Sequence, residues 1–335
     1  MKKLLITLAT VLFAFSVSQA AEKPVTLKLS TTTPPMDTQV TNFLKPWAEV
    51  VKKESQGTLN IEIYAGGVLG RNIKQYLEQL DSGVFEIASV NPAYFGDRFA
   101  WASIYNIPFT SENYYEAAVS SQRLFDKGLL PGFEDYEVLV IHGTSPFYFW
   151  STDRLRVPED LKGRKARTGS KFQSLLMNEL GMTPIPLEVN QTTENLSRGM
   201  IQATIASPHI ANTFKINEIA KNMLELSMGN FGIMIVMSKK AYQSLPSQGK
   251  AAIDKCRGEW MAKFAAKAMG DSDPALVEKF KKDPALTVYQ PKGEDLKRWE
   301  AAIQPAIAKW EKESPANENL LRALRQELNN IRSSK

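Results

Sequence analysis

The chain has a single cysteine, Cys256, and only two histidines, His142 and His209, among 335 residues. One cysteine excludes an internal disulfide framework, so the core alone must hold the fold. Within AAIDKCRGEW, Cys256 reads as a buried position on an amphipathic helix, since a catalytic or metal role would need partners beside it. The two histidines are far apart, and a multi-histidine or cysteine zinc site is hard to assemble from them. A G-x-S-x-G elbow, a P-loop and a G-x-G-x-x-G turn are also missing. Gly66-Gly67-Val68-Leu69-Gly70 has the glycines without the spacing. No catalytic residue, metal or cofactor is expected.

Charge of one sign is scarce. Lys and Arg number 41 against 36 acidic residues, a formal net charge of +5. The surplus is dispersed, with no basic block of the kind that tracks phosphates, which argues against nucleic acid as a partner. The one long apolar run, 4–17, follows Lys2 and Lys3 and precedes the small-x-small triplet Ser18-Gln19-Ala20. That order is a cleavable secretion signal over 1–20. The run falls short of the roughly 20 residues of a bilayer crossing, and no cysteine near the cleavage site carries a lipid. The mature protein is expected free in the export compartment.

What remains is longer than one hydrophobic core usually organises, so two domains are expected. Segment 25–30 (VTLKLS) alternates as a strand, and Phe43, Leu44, Trp47, Val50 and Val51 then share a helix face. A strand at 59–64, a helix at 71–80 and a strand at 85–90 complete a βαβαβ order, which indicates an α/β sheet with flanking helices. After a strand at 138–141, the pattern resumes with a strand ending at Arg167, a helix over 171–180 and a strand at 184–187. Segment 231–237 reads as a strand buried on both faces. The last hundred residues are mostly helical: Trp299, Ile303, Ile307 and Trp310 mark one face, and Ser314-Pro315 caps a final helix carrying Leu320, Leu321, Leu324, Leu328 and Ile331.

Ordered phrases then accumulate: LKLSTTTPP at 27–35, ESQGT at 54–58, YAGGVLG at 64–70, LDSGVFEI at 80–87 and IPF at 107–109. They continue with PEDLKGRKAR at 158–167, LGMTPIP at 180–186, LSRGMI at 196–201 and MSKKAYQSLP at 237–246. Together they resemble the DctP-type solute-binding proteins of tripartite ATP-independent periplasmic (TRAP) transporters. The resemblance implies an α/β, two-domain periplasmic binding protein fold with a ligand cleft between domains, crossing strands and long C-terminal helices. On that basis, 21–147 with 232–270 form the first domain and 148–231 with 271–335 the second. It further implies a monomer in the periplasm that hands a small organic acid to TRAP membrane subunits.

The same resemblance gives Arg167, at the end of the lysine-x-arginine phrase, the role of holding the ligand carboxylate. A guanidinium suits that task because it grips a carboxylate with two parallel hydrogen bonds. The alternative is a surface arginine, or one paired with Glu159 or Asp160. The segment Phe147-Tyr148-Phe149-Trp150, joined by Tyr94 and Phe231, suggests an aromatic wall behind the carboxylate, unless Phe147, Phe149 and Trp150 are ordinary core residues. Asn91 and Tyr94 follow one strand end and Ser207 and His209 another, so each is a candidate donor into the cleft. The site expected is therefore Arg167, Asn91, Tyr94, Tyr148, Trp150, Ser207, His209 and Phe231.

Departures from the family narrow the ligand. Gln202 and Ala203 replace a usual acid and glycine, Gln191 replaces a glutamate, and 143–150 holds no second arginine. Sialic acid and C4-dicarboxylates are weakened, and a monocarboxylate with an apolar or aromatic body is favoured. Two other readings stand beside transport: a binding protein that senses ligand for a receptor, and a secreted hydrolase using a pair such as Glu188 and Glu194.

Overall fold

Strand β1 (Val25–Thr31) buries Leu27 and Leu29 beneath the helix Lys45–Glu54, whose Trp47 and Val51 are fully enclosed. A fully buried Leu side chain contributes roughly 1.5–3 kcal/mol, so this face anchors the first layer. Trp47 donates its indole N–H to the Cys256 carbonyl at 2.9 Å. Cys256 is itself buried, and burial pushes its thiol up to about 11, which makes it inert. This computed structural model describes residues 23–334. The expected signal, 1–20, lies outside the described residues.

Two sheets result. The first joins β2 (Leu59–Tyr64), β1, β3 (Ile87–Val90), β10 (Gly232–Ser238) and β4 (Tyr136–Gly143) in that order. β1 lies parallel to β2 and β3, whereas β10 runs antiparallel between β3 and β4. Its central place explains why GIMIVMS is apolar on both faces. The second sheet has the order β11 (Thr287–Tyr289), β9 (Asn222–Leu224), β5 (Tyr148–Ser151), β8 (Ala203–Ala206), β6 (Lys165–Thr168), β7 (Thr183–Pro186).

The chain crosses between the sheets after β4, returns before β10 and crosses once more between β10 and β11, and it is the first two connectors that pair. The two connectors run side by side: Phe147 N–H donates to Gly229 O at 2.8 Å, Met228 N–H to Phe147 O at 2.9 Å, and Thr144 N–H to Phe231 O at 2.9 Å. They form a paired crossing between the two layers. Gly229 needs its positive φ of 84°, and a Cβ there would come within 2.5 Å of the Asn106 backbone.

Both C-terminal helices form as the periodicity requires, over Gly293–Lys312 and Pro315–Ser333. The Ser314 hydroxyl accepts from Asn317 N–H at 3.1 Å and caps the second. That helix packs on Tyr114–Asp126, a helix of the first layer, rather than wholly with the second domain. Its apolar stripe is buried there: Leu324 sits with Ile104 and Leu124, and Arg332 donates to Glu116 Oε2 at 2.8 Å. The preceding helix packs on Lys171–Glu179 of the second layer. Together the pair straps one layer to the other.

Candidate functional site

Arg167 stands at the C-terminal end of β6, where α/β units place their ligands. Its side chain is enclosed, with only 9% of the residue exposed. Nε donates to Leu187 O at 2.9 Å, which sets the plane of the guanidinium. Among the described residues, Nη1 and Nη2 have no hydrogen-bond acceptor. Glu159 instead pairs with Arg298 at 3.0 Å, and the Asp160 carboxylate accepts from Arg156 N–H and Val157 N–H at 2.7 and 3.0 Å. Burial draws the Arg167 pKa below its ordinary value, partly offset by Tyr94 and Glu188. A buried cation whose two terminal nitrogens face a cavity is set to receive an anion.

That cavity is the inner chamber of a cleft between the sheets. Tyr94, Tyr105, Phe147 and Phe231 wall it, with Ile205 and Ile210. Phe147 and Phe231 sit on the two crossing connectors, their rings 6.2 Å apart and inclined by 21°. Asn91, Asn106, Ser170 and Gln173 supply the polar lining. Ser170 caps the helix Lys171–Glu179, and Gln173 Oε1 accepts from Gly169 N–H at 2.8 Å. The positive end of that helix thus opens on the same space as Arg167.

Asn91, Tyr94, Val189, Ile210 and Phe231 also line a wider outer chamber. Inner and outer volumes are about 650 and 1570 Å³, space open to solvent included. Across the outer chamber, His209 Nε2 lies 2.7 Å from Asp37 Oδ2, and His209 N–H donates to Asp273 Oδ1 at 2.7 Å.

The structure gathers Arg167, Asn91, Tyr94 and Phe231 around one chamber, with Phe147 as the contributing member of the aromatic segment. Tyr148 and Trp150 lie elsewhere. Both project from the same face of β5, as alternation demands, and that face is turned from the inner chamber. Trp150 is fully buried edge-on against Phe280 at 5.4 Å, and its indole donates to Ala206 O at 3.2 Å. Tyr148 lines a separate cavity with Glu225 and Asp273, and burial pushes its hydroxyl up to about 12. Ser207 and His209 reach only the outer chamber. The Ser207 hydroxyl is occupied, accepting from Ile210 N–H at 3.1 Å. Asn91 Oδ1 similarly accepts from Ala93 N–H at 2.8 Å.

Tyr105, Asn106, Gly169, Ser170 and Gln173 escaped the sequence reading. The first two end the 3₁₀ run Pro92–Asn106, which is kinked at Phe95, Gly96 and Phe99 and has no single periodicity to follow. The others had a signal: Thr168-Gly169-Ser170 directly after Arg167 is a strand-to-helix turn with a serine cap.

A family model of bacterial extracellular solute-binding proteins, family 7 (DctP), matches residues 29–313. The chain belongs to the DctP family. DctP itself, the C4-dicarboxylate-binding periplasmic protein of Rhodobacter capsulatus, is 24% identical over 302 residues, spanning 87% of this chain and 88% of its own. A marine-metagenome TRAP solute-binding protein specific for aromatic acids has a TM-score of 0.84 at 24% identity, covering 91% of this chain and 99% of its own. A TRAP solute-binding protein of Rhodoferax ferrireducens T118, bound to copurified benzoate, also has a TM-score of 0.84, at 22% identity, covering 92% and 99%. DctP-family proteins are periplasmic binding proteins, not enzymes, and serve TRAP membrane components. The hydrolase reading falls with that. Glu194 is tied on the surface to Arg198 at 2.7 Å. No helix among the described residues is long and apolar enough to cross a membrane.

Proposed function

We propose that this DctP-family receptor captures an organic monocarboxylate with an aromatic or otherwise apolar body, and that the carboxylate sits on Arg167. One observation carries the reading: a buried guanidinium fixed through Nε, with Nη1 and Nη2 facing a chamber walled by Tyr94, Tyr105, Phe147 and Phe231. Two parallel charge-assisted hydrogen bonds hold the head, and the rings receive an apolar body. Asn91, Asn106 and Gln173 are placed to select polar substituents. Relatives of the same fold support the class: their complexes contain 3-hydroxybenzoate, benzoate and mandelate.

Among the described residues Arg167 is the only arginine lining the inner chamber; Glu188, Asp37 and Asp273 face the outer one with Arg71 and His209. A second carboxylate in the inner chamber would find no second guanidinium there, which disfavours the dicarboxylates bound by the Rhodobacter relative. The reading of a monomer rests on the family likeness, and that of export by cleavage following Ala20 on the 1–20 pattern. Its dispersed charge gives nucleic acid no footprint.

A thermal-shift screen against benzoate, 3-hydroxybenzoate, mandelate and succinate tests the class, because a ligand that binds only the folded state raises Tm. Stabilisation by an aromatic acid and not by succinate is expected. The reverse order would overturn the choice of ligand class.

A further inference from the structure

The outer chamber contains a contact that the carboxylate site does not use. Asp37 belongs to the turn after β1, in the first sheet's layer, and His209 to the helix Pro208–Thr213 after β8, in the second. They meet at 2.7 Å, with 9% of the Asp37 side chain and 23% of the His209 side chain exposed. Each is fixed within its own layer. Asp37 Oδ1 accepts from Gln39 N–H at 2.8 Å, which leaves Oδ2 for the imidazole. The His209 backbone N–H is held at 2.7 Å by Asp273, near the start of the helix Ser272–Lys282. Thr144 and Phe231 of the crossing connectors line the same chamber as this pair, and Asp37 and His209 belong to different layers, so an opening of the cleft at that chamber separates them.

We propose that Asp37 and His209 form a protonation-dependent latch that holds the two lobes closed. The proposal rests on the two-lobed cleft and is independent of which ligand Arg167 takes. Five other titratable or charged groups share the chamber: Asp273, Tyr94, Tyr114, Glu188 and Arg71. Asp273 is buried, and burial raises its pKa; Tyr114 is raised in the same way. The balance around the ring is acidic, which favours imidazolium. The hydrogen bond to Asp37 raises the His209 pKa, opposed by burial and helped by the charges of Asp37 and Asp273.

The direction of the switch follows. A pair that raises the imidazole pKa binds its proton more tightly closed than open. Its contribution to closure is whole below the ordinary imidazole value of about 6.5 and is lost as pH rises through the raised value. Acidification therefore favours closure and slow ligand release, and alkaline conditions favour opening. The latch is a local charge event acting on a bistable cleft.

The test needs no ligand and leaves Arg167 untouched. Spin labels on cysteines placed at the exposed positions Lys74 and Thr183, with Cys256→Ser, report the distance between lobes. Spectra are compared at pH 6 and pH 9, on either side of the imidazole transition. The expected result is a severalfold larger short-distance population at the lower pH, abolished in Asp37→Asn and in His209→Asn. Asparagine at 37 keeps a hydrogen-bond acceptor and removes only the charge. Identical distance distributions at both pH values, or a pH response that survives in either variant, would overturn the latch. Because no acid is added, failure here leaves the carboxylate reading standing, and the reverse also holds.

Discussion

The Arg167 guanidinium lies against the bare face of Gly169: a Cβ at Gly169 would stand 2.9 Å from Nη2 and 3.1 Å from Nη1 and Cζ. The φ of Gly169 is not positive, so alanine is allowed by the backbone and forbidden only by the arginine. Gly169→Ala should therefore push the fork off line without unfolding the chain. The expected outcome is about a tenfold loss of affinity for the bound acid, equivalent to 1.4 kcal/mol, with Tm little changed. Titration calorimetry on the two proteins measures it.

Trp150 separates core from site. Removing part of its ring leaves a gap beside Phe280 and strips the Ala206 carbonyl of its donor. Trp150→Phe should destabilise the fold by about 1–3 kcal/mol, the cost of a buried polar group left unpaired. Ligand affinity should stay at the wild-type level. A lost affinity with unchanged stability would return Trp150 to the cleft.

Acid should weaken the protein through His142. The ring is fully buried on β4, edge-on to Phe43 at 5.6 Å, with Nδ1 3.3 Å from the Tyr114 hydroxyl. Burial lowers its pKa to about 4. A folded value below the unfolded one near 6.5 means that the unfolded chain takes up the proton first. The associated stability is whole above pH 6.5, declines as pH falls, and is gone below about 4, a loss of roughly 3 kcal/mol. His142→Gln, which does not titrate, should show a flatter dependence of Tm on pH across that window. Parallel curves for the two proteins would contradict the assignment.

The fold was legible wherever periodicity was long. β1, β2 and β10, the two C-terminal helices and the Ser314 cap follow from spacing alone. The short strands β9 and β11 span only three residues each, too few for alternation to register. Helix Pro315–Ser333 shows the second limit: its apolar stripe was plain, but an amphipathic face does not name its partner, and here the partner is the first-layer helix Tyr114–Asp126. Around the inner chamber, Arg167 stood out as a candidate because it ends a recognisable phrase. Trp150 misled because an aromatic side chain serves a core and a ligand wall equally well. The meeting of His209 with Asp37, 172 positions apart, is purely tertiary.

The proposed grip of Arg167 on a carboxylate predicts that binding follows the guanidinium. Calorimetric titration of wild type, Arg167→Lys and Arg167→Ala, with the acid that gives the largest thermal shift, tests it most directly. Wild type should bind tightly, Arg167→Lys weakly because an ammonium cannot reproduce the planar fork, and Arg167→Ala hardly at all, all with similar far-ultraviolet spectra. Wild-type affinity in a folded Arg167→Ala would contradict it.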